Sequence, residues 1–366
     1  MNWELITEGK VQLNVPRADI VSRELPVFYN PVMALNRSIS ITFLRALGRS
    51  GLQIADPLAG SGVRSLRFLK ELPKIMINQL FVNDANPKFK KLWLQELKIN
   101  KLKNKLNNKR NDNKKNTKQK KLNAGQIVLG NTDASMFMLS QSGFDYIDVD
   151  PFGSPNPFLD AACKRLARGG ILAVTATDTA PLAGTYPKTC KRKYDAIPLL
   201  DECKHETAIR ILLRKIQLVG AQYEKALVPV CCYAHEHYYR VFLVCEKSKS
   251  MVDKVLKQHG IWHGAGPLWL GNLWDDKLIK KMLSLARFSD EKKLLYRISK
   301  EATSHSIGFF DVHAECKRLH ISVPSFAKII HLIEKKGYVV AQTHFSPTGL
   351  RTTLPKEEFV QVLKTL

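Results

Sequence analysis

The sequence predicts an α/β protein: a seven-stranded, mostly parallel sheet that ends in an antiparallel hairpin, followed by a smaller α+β unit with winged-helix-like element order. Three observations carry this. Short apolar runs alternate with helical patterns between residues 51 and 175, as in a parallel sheet covered on both faces. Two further strand-like runs then follow one another too closely for a crossover helix. Nearer the C-terminus, two short helical patterns are succeeded by a hairpin.

Taken in order, residues 51–57 (GLQIADP) read as a buried strand bounded by Gly and Pro. A Gly-containing turn and a helix over 63–72 follow. Residues 79–84 (QLFVND), 126–133 (QIVLGNTD) and 144–150 (FDYIDVD) read as the next strands. A helix over about 157–168 precedes a fifth strand, 169–175 (GGILAVT). The helix expected over 205–219 places Ile209, Leu212, Leu213 and Ile216 on one face. Residues 225–233 and 238–245 are strands whose short link, Ala234-His235-Glu236-His237, requires antiparallel pairing. Beyond about 250, helices are expected over 311–319 and 324–336, with Pro324 near the start and Gly337 just past the end of the second. Strands 338–345 and 350–353 flank a Ser-Pro-Thr-Gly turn. Domains are therefore expected at 1–247 and 248–366.

The 366 residues suit two domains, and an apolar fraction of 45% suffices for a sizeable core. The formal charge of +24, from 57 Lys+Arg against 33 Asp+Glu, favours a polyanionic partner through counterion release. Residues 101–123 concentrate lysine and asparagine and read as a surface insertion, either an inert loop or a nonspecific arm for nucleic acid. The first residues are acidic and lack the apolar core of a signal peptide, and no apolar run reaches membrane-spanning length. Seven cysteines without a CxxC suggest neither a disulfide framework nor a zinc ribbon, so no metal and a cytoplasmic location are expected. His235-x-His237 lacks a nearby third ligand. Trp269 and Trp274 are expected in the core rather than stacked on a ligand.

Chemistry concentrates at the strand ends. Asp56-Pro57-Leu58-Ala59-Gly60-Ser61-Gly62 puts a carboxylate and a Gly-x-Gly turn between a strand and a helix, which lets a nucleoside approach the backbone. Without a third glycine or a P-loop lysine it is no pyrophosphate cradle. Asp84, at the next strand tip, can accept ribose hydroxyls. Asp133 can accept an adenine amine beside the Ala134 backbone. Each aspartate alone reads as readily as a helix cap; three successive strand ends are harder to explain that way.

The fourth strand ends in Asp148-Val149-Asp150-Pro151-Phe152-Gly153-Ser154-Pro155. This resembles the D/N-P-P-Y/F signature of methyltransferases that act on planar amines. A base amine is a poor nucleophile because its lone pair is delocalised into the ring. Asp150 can accept its N–H, localise the lone pair and take the proton. Phe152 offers a face for stacking, worth roughly 1–3 kcal/mol per base. Asp148 lies one pleat deeper and is expected to be structural.

These segments, with VFYNPVMALNRS (27–38), GGILAVTATDTAPLAGTYPKTCKRKY (169–194), GPLWLGNL (266–273) and THFSPTGLRTTLP (343–355), are together similar to the tRNA (guanine-26-N2)-dimethyltransferases of archaea and eukaryotes, nearly end to end. The resemblance implies a class I, Rossmann-like methyltransferase domain, S-adenosylmethionine as methyl donor, tRNA as partner, and a family-specific C-terminal domain that binds tRNA. It implies cofactor contacts at Arg37, Arg64, Asp84, Asp133 and Ala134, alongside Asp56 and Gly60 from the strand-end reading. It places the catalytic aspartate at Asp150 and a guanine-sandwiching pair at Phe28 and Phe152. Some members carry a cysteine cluster before the GPLW segment, where this chain has only Cys245, so zinc is not expected. Nothing calls for an obligate protein partner. Monomethylation, another RNA or protein amine as substrate, and a noncatalytic RNA-binding role are the alternatives.

Overall fold

The computed structural model describes residues 3–16, 27–102 and 126–366, so nearly all of the Lys/Asn-rich insertion lies outside the described residues. The chain forms two compact units, each made of three segments. One comprises Met1–Thr175, Val219–Ala226 and Val244–Ser248; the other comprises Ala176–Leu218, Leu227–Leu243 and Lys249–Leu366.

The first unit opens with a hairpin, β1 (Trp3–Glu8) and β2 (Val11–Pro16), followed by helix α1 (Ala34–Leu47). Strand and helix then alternate: β3 (Leu52–Asp56), α2 (Val63–Glu71), β4 (Ile77–Val82), α3 (Phe89–Ile99), β5 (Gln126–Leu129), α4 (Ala134–Leu139), β6 (Phe144–Val149), α5 (Asn156–Arg165) and β7 (Leu166–Ala176). Beyond them come α6 (Thr179–Leu182), α7 (Pro187–Tyr194), α8 (Lys204–Ala221) and the hairpin β8 (Lys225–His235) and β9 (Tyr238–Lys247). The seven-stranded sheet has the order β5-β4-β3-β6-β7-β9-β8. Pairs β5–β4, β4–β3, β3–β6 and β6–β7 are parallel. The expected sheet is present, with shifted boundaries. Glu236 adopts a left-handed φ of 46°, which closes the last hairpin over two residues rather than the four expected. β7 starts at Leu166, three residues early, because the backbone extends there before turning at Gly169 (φ 73°).

The early hairpin and α1 are not expected from the sequence. The outer edge of β2 is covered by side chains of α3 and its C-cap: Asn100, the cap, accepts from Gln12 N (3.0 Å) and donates to Gln12 O (2.6 Å), and Glu96 accepts from Asn14 N (3.3 Å). Lys225 caps α5, its Nζ donating to the carbonyls of Cys163 (2.7 Å), Lys164 (3.0 Å) and Leu166 (2.7 Å).

The second unit continues through α9 (Lys249–Leu256), the hairpin β10 (His259–Trp262) and β11 (Ala265–Trp269), α10 (Asp276–Leu285) and α11 (Ser289–Glu301). It ends in β12 (Phe310–Asp311), α12 (Val312–Leu319), α13 (Phe326–Lys335), β13 (Val340–Gln342), β14 (Gly349–Thr352) and α14 (Lys356–Lys364). The three strands form an antiparallel sheet in the order β12-β14-β13. The helices close on a core that includes Val312, Cys316, Ile329, Ile333, Leu350 and Phe359. The expected helix-turn-helix and hairpin are there, with β12 and α14 completing them. Trp269 and Trp274 are buried, their indole N–H groups donating to Asn272 O (2.9 Å) and Cys232 O (2.7 Å). All seven cysteines are buried and free. Among the described residues no helix is long and apolar enough to cross a membrane, and no group of three or more His, Cys, Asp or Glu is placed to hold a metal.

Candidate active site

The loop after β3 is shaped by close approach. Gly60 and Gly62 both take left-handed φ, 56° and 74°; a Cβ on Gly62 would lie 2.0 Å from the Trp93 ring. Gly60 N donates to Asp84 Oδ2 (2.7 Å), and Ser61 N donates to Phe28 O (3.0 Å). Hydrogen bonds thus join the loop to the segments carrying Asp84 and Phe28. Asp84 stands two residues past β4 rather than within it, and Asn86 N donates to its Oδ1 (2.9 Å). Each oxygen has one backbone partner, which leaves an acceptor site on each for a diol. Burial raises the pKa of Asp84, against the pull of those two N–H groups.

Asp133 caps α4, its Oδ1 accepting from Ser135 N (2.9 Å) and Met136 N (3.0 Å). The cap reading is therefore correct for this residue. Both bonds fall on Oδ1, so Oδ2 can still accept from an amine. Ala134 is the first residue of α4, so its N–H has no intrahelical acceptor. An adenosyl group requires a close backbone approach, acceptors for a diol and an amine, and a donor for a ring nitrogen; the Gly60 turn, the Asp84 oxygens, Asp133 Oδ2 and Ala134 N–H are groups of those types.

A buried ion network lies beneath the end of β6. Arg64, on α2, pairs with Asp150 through Nη2 and with Asp148 through Nη1 (3.2 Å). Its Nη1 also donates to Asn36 Oδ1 (3.0 Å) and Ser40 Oγ (2.9 Å) on α1, and Asn36 Nδ2 donates to Thr175 Oγ1 (3.2 Å). Asp148 is fully buried and accepts from Tyr146 Oη (2.7 Å). The Asp150 side chain is 16% exposed, so one member of the network reaches solvent. Asp56 is buried at the end of β3 and accepts from Ser65 Oγ (2.7 Å); burial pushes its carboxyl up to about 7, Arg64 opposing and Asp148 assisting.

Phe28 and Phe152 touch, with ring centroids 4.0 Å apart and planes at 72°. A base stacked between them needs faces about 7 Å apart, twice the usual carbon–carbon contact. Phe152, directly before Gly153, is 42% exposed and is the more exposed of the two rings.

The sequence-expected residues are thus brought together in two sets: Asp150, Asp148, Arg64 and Asp56 in one, and Gly60, Asp84, Phe28 and Phe152 in the other. Arg37 takes a different place. Its Nε donates to Glu8 Oε1 (2.7 Å), its Nη2 to Glu8 Oε2 and Asn30 O (3.0 Å), and its guanidinium lies 5.2 Å from the Tyr29 ring centre. Glu8 also pairs with Arg67 (3.0 Å) and accepts from Tyr29 Oη (3.0 Å). Its pKa is lowered: burial acts to raise it, but the two arginines outweigh that. Sequence reasoning did not find Glu8, Asn36 or Ser40, because nothing local marks a residue whose partner is distant in the chain.

A sheet in this strand order, with a nucleoside-shaped loop after one strand, carboxylates past the next two and an Asp-Pro-Phe segment after the fourth, defines a class I methyltransferase. A model of the family described as N2,N2-dimethylguanosine tRNA methyltransferase matches residues 9–263 and 261–364. The chain belongs to that family. It is 34% identical to the tRNA (guanine(26)-N(2)/guanine(27)-N(2))-dimethyltransferase of Aquifex aeolicus, covering 99% of this chain and 96% of the relative. It is 34% identical to the tRNA (guanine(26)-N(2))-dimethyltransferase of Methanocaldococcus jannaschii, covering 98% of each. Among solved structures, Trm1 from Pyrococcus horikoshii in complex with S-adenosyl-L-methionine superposes with a TM-score of 0.85 at 33% identity, over 98% of this chain and 99% of that one.

Proposed function

We propose that this protein transfers two methyl groups from S-adenosylmethionine to the exocyclic N2 amine of guanine 26 in tRNA, giving N2,N2-dimethylguanosine. The observation that carries the reading is Asp150: a carboxylate anchored from below by Arg64, open to solvent above, and two residues from an exposed phenyl ring. S-adenosylmethionine supplies an electrophilic methyl whose bond to sulfur breaks, the electron pair leaving on a neutral thioether. Asp150 accepts an N–H of the amine, localises the lone pair for the new N–C bond and takes the proton. Phe28 and Phe152 hold the base so that its amine faces the methyl. Asp84, Asp133 and Ala134 hold the adenosyl group, with Gly60 supplying close backbone approach. Arg37, Arg64 and Asp56 complete the cofactor side of the site, and Arg64 also anchors Asp150. After one transfer an N–H remains, so the same aspartate serves a second round.

In this reading residues 1–247 perform the transfer and residues 248–366 bind tRNA, in the cytoplasm and without a protein partner. The Aquifex relative is named for guanine 27 as well as guanine 26, so both positions belong in the test. Mass spectrometry of nucleosides and fragments from unmodified tRNA transcript, incubated with enzyme and S-adenosylmethionine, is expected to give dimethylguanosine at position 26. Only monomethylguanosine would restrict the reading to one transfer. No methylated guanosine from an enzyme that binds the cofactor would overturn the substrate.

A further inference from the structure

Helix α7 presents a cationic face that its own folding does not require. Cys190 and Tyr194, four residues apart, are its buried side, and Tyr194 Oη donates to both oxygens of Asp178 (2.8 and 2.9 Å). The opposite side presents Lys188, Lys191 and Arg192, spaced i, i+3 and i+4, all exposed. Like charges at that spacing weaken a helix. The macrodipole accounts for Lys191, Arg192 and Lys193 in the last turn but opposes Lys188 in the first. Asp195 and Asp178 pair with Lys191 (2.5 Å) and Lys193 (3.2 Å), whereas Lys188 and Arg192 have no acidic partner among the described residues.

An aromatic residue, Tyr186, precedes this helix in the chain and is 59% exposed. Its approach is set by Gly184, whose left-handed φ of 92° lets the loop lie against Leu199 and Leu200; a Cβ there would fall 2.8 Å from Leu199 O. Leu200, 71% exposed, adds apolar surface to the same loop. An exposed ring two residues before Lys188 in the chain, followed by the exposed cations of α7, suits a nucleotide taken out of its helix: the base lies on the ring and the adjoining phosphates meet the cations.

We propose that Tyr186, Lys188 and Arg192 form a docking ridge for an unpaired nucleotide of the substrate tRNA and its flanking phosphates. This rests on the tRNA reading given above. The charge of the face favours RNA over a protein partner.

The test uses the full chain and an unmodified tRNA transcript. Tyr186→Ala is expected to weaken transcript binding about thirtyfold, the middle of the stacking range, while Tyr186→Phe binds as the wild type does. The double variant Lys188→Gln/Arg192→Gln is expected to lower the slope of log K against log salt by about 2, one for each phosphate contact. Cofactor affinity, thermal midpoint and kcat at saturating tRNA should stay at wild-type values in all of them. Unchanged affinity and slope would overturn the ridge. So would Tyr186→Phe binding as weakly as Tyr186→Ala, or losses matched by falling cofactor affinity and melting temperature, which would mark a scaffolding role. A wild-type protein that methylates no tRNA sinks the reading beneath; an active wild type with indifferent variants sinks only the ridge.

Discussion

Asp56 in the first unit and Glu206 in the second are both carboxylates closed off from solvent, yet they sit far apart on the acid scale. Burial takes Asp56 up to about 7, with Arg64 opposing and Asp148 and Asp150 adding negative neighbours. Burial acts in the same direction on Glu206, but Arg351 and Arg210 overcome it and bring the carboxyl down to about 2. The second network is sealed: Arg351 joins Glu206 to Glu301 (3.2 Å), and Glu301 accepts from Thr343 (2.8 Å) and pairs with His344 (2.6 Å), all through buried side chains. The first has more acid than base and one oxygen-bearing end in solvent. A network balanced in charge and closed serves the fold. One with surplus carboxylate and an opening is equipped to receive a proton.

The sharpest way to break that contrast is at the open end. Asp150→Ala is expected to reduce methyl transfer by about 10²–10⁴-fold, the usual range for losing a general base, with cofactor binding and stability intact. Asp150→Asn keeps an acceptor for the N–H but cannot take the proton, so it should lie near the alanine variant in single-turnover rates. A mild effect from either would remove the functional half of the comparison.

The closed network should respond in stability instead. Glu206→Gln leaves Arg351 and Arg210 short of a counter-charge and is expected to cost about 3–5 kcal/mol in urea unfolding, with turnover per folded molecule preserved. Because the folded pKa of Glu206 lies below its ordinary 4.5, its contribution is present above that value and fades as the pH falls through about 2. Acid unfolding should lose that step in the variant.

The smallest effect belongs to Asp56, where the sign is opposite. A folded pKa raised to about 7 from an ordinary 3.8 makes its contribution complete below about 3.8 and decline as the pH rises through 7. Wild-type stability should fall by about 1 kcal/mol between pH 6 and 8 on this account, and Asp56→Asn should flatten the slope. An unaltered slope would mean that the two buried carboxylates do not differ in the way described.

Much of this arrangement was legible in the sequence, and the residues show where legibility stops. The strands announce themselves by apolar runs, and Asp148-Val149-Asp150 declares two carboxylates on one face of one strand, because side-chain direction alternates. Strand ends drifted by two to four residues because Asp84 and Asp133 look like strand tips but sit in turns that cap or bind locally. Helix α1 was invisible for a different reason. It is buried on nearly every side, Asn36, Arg37, Ser38, Ser40 and Thr42 among the buried residues, so no amphipathic period survives. Arg64 and Arg351 are charged residues in ordinary-looking positions; their meaning lies in carboxylates distant along the chain.

The burial of all seven thiols has a practical consequence. Burial pushes Cys163, Cys190, Cys203 and Cys231 up to about 12, so neither exposure nor thiolate is on offer to an alkylating reagent in the native state. Cys163 and Cys245 belong to the first unit, and Cys190, Cys203, Cys231, Cys232 and Cys316 to the second. The chain therefore carries intrinsic reporters of local opening in both units. The order in which tryptic peptides take up a mass label would show which unit breathes first, with no residue altered.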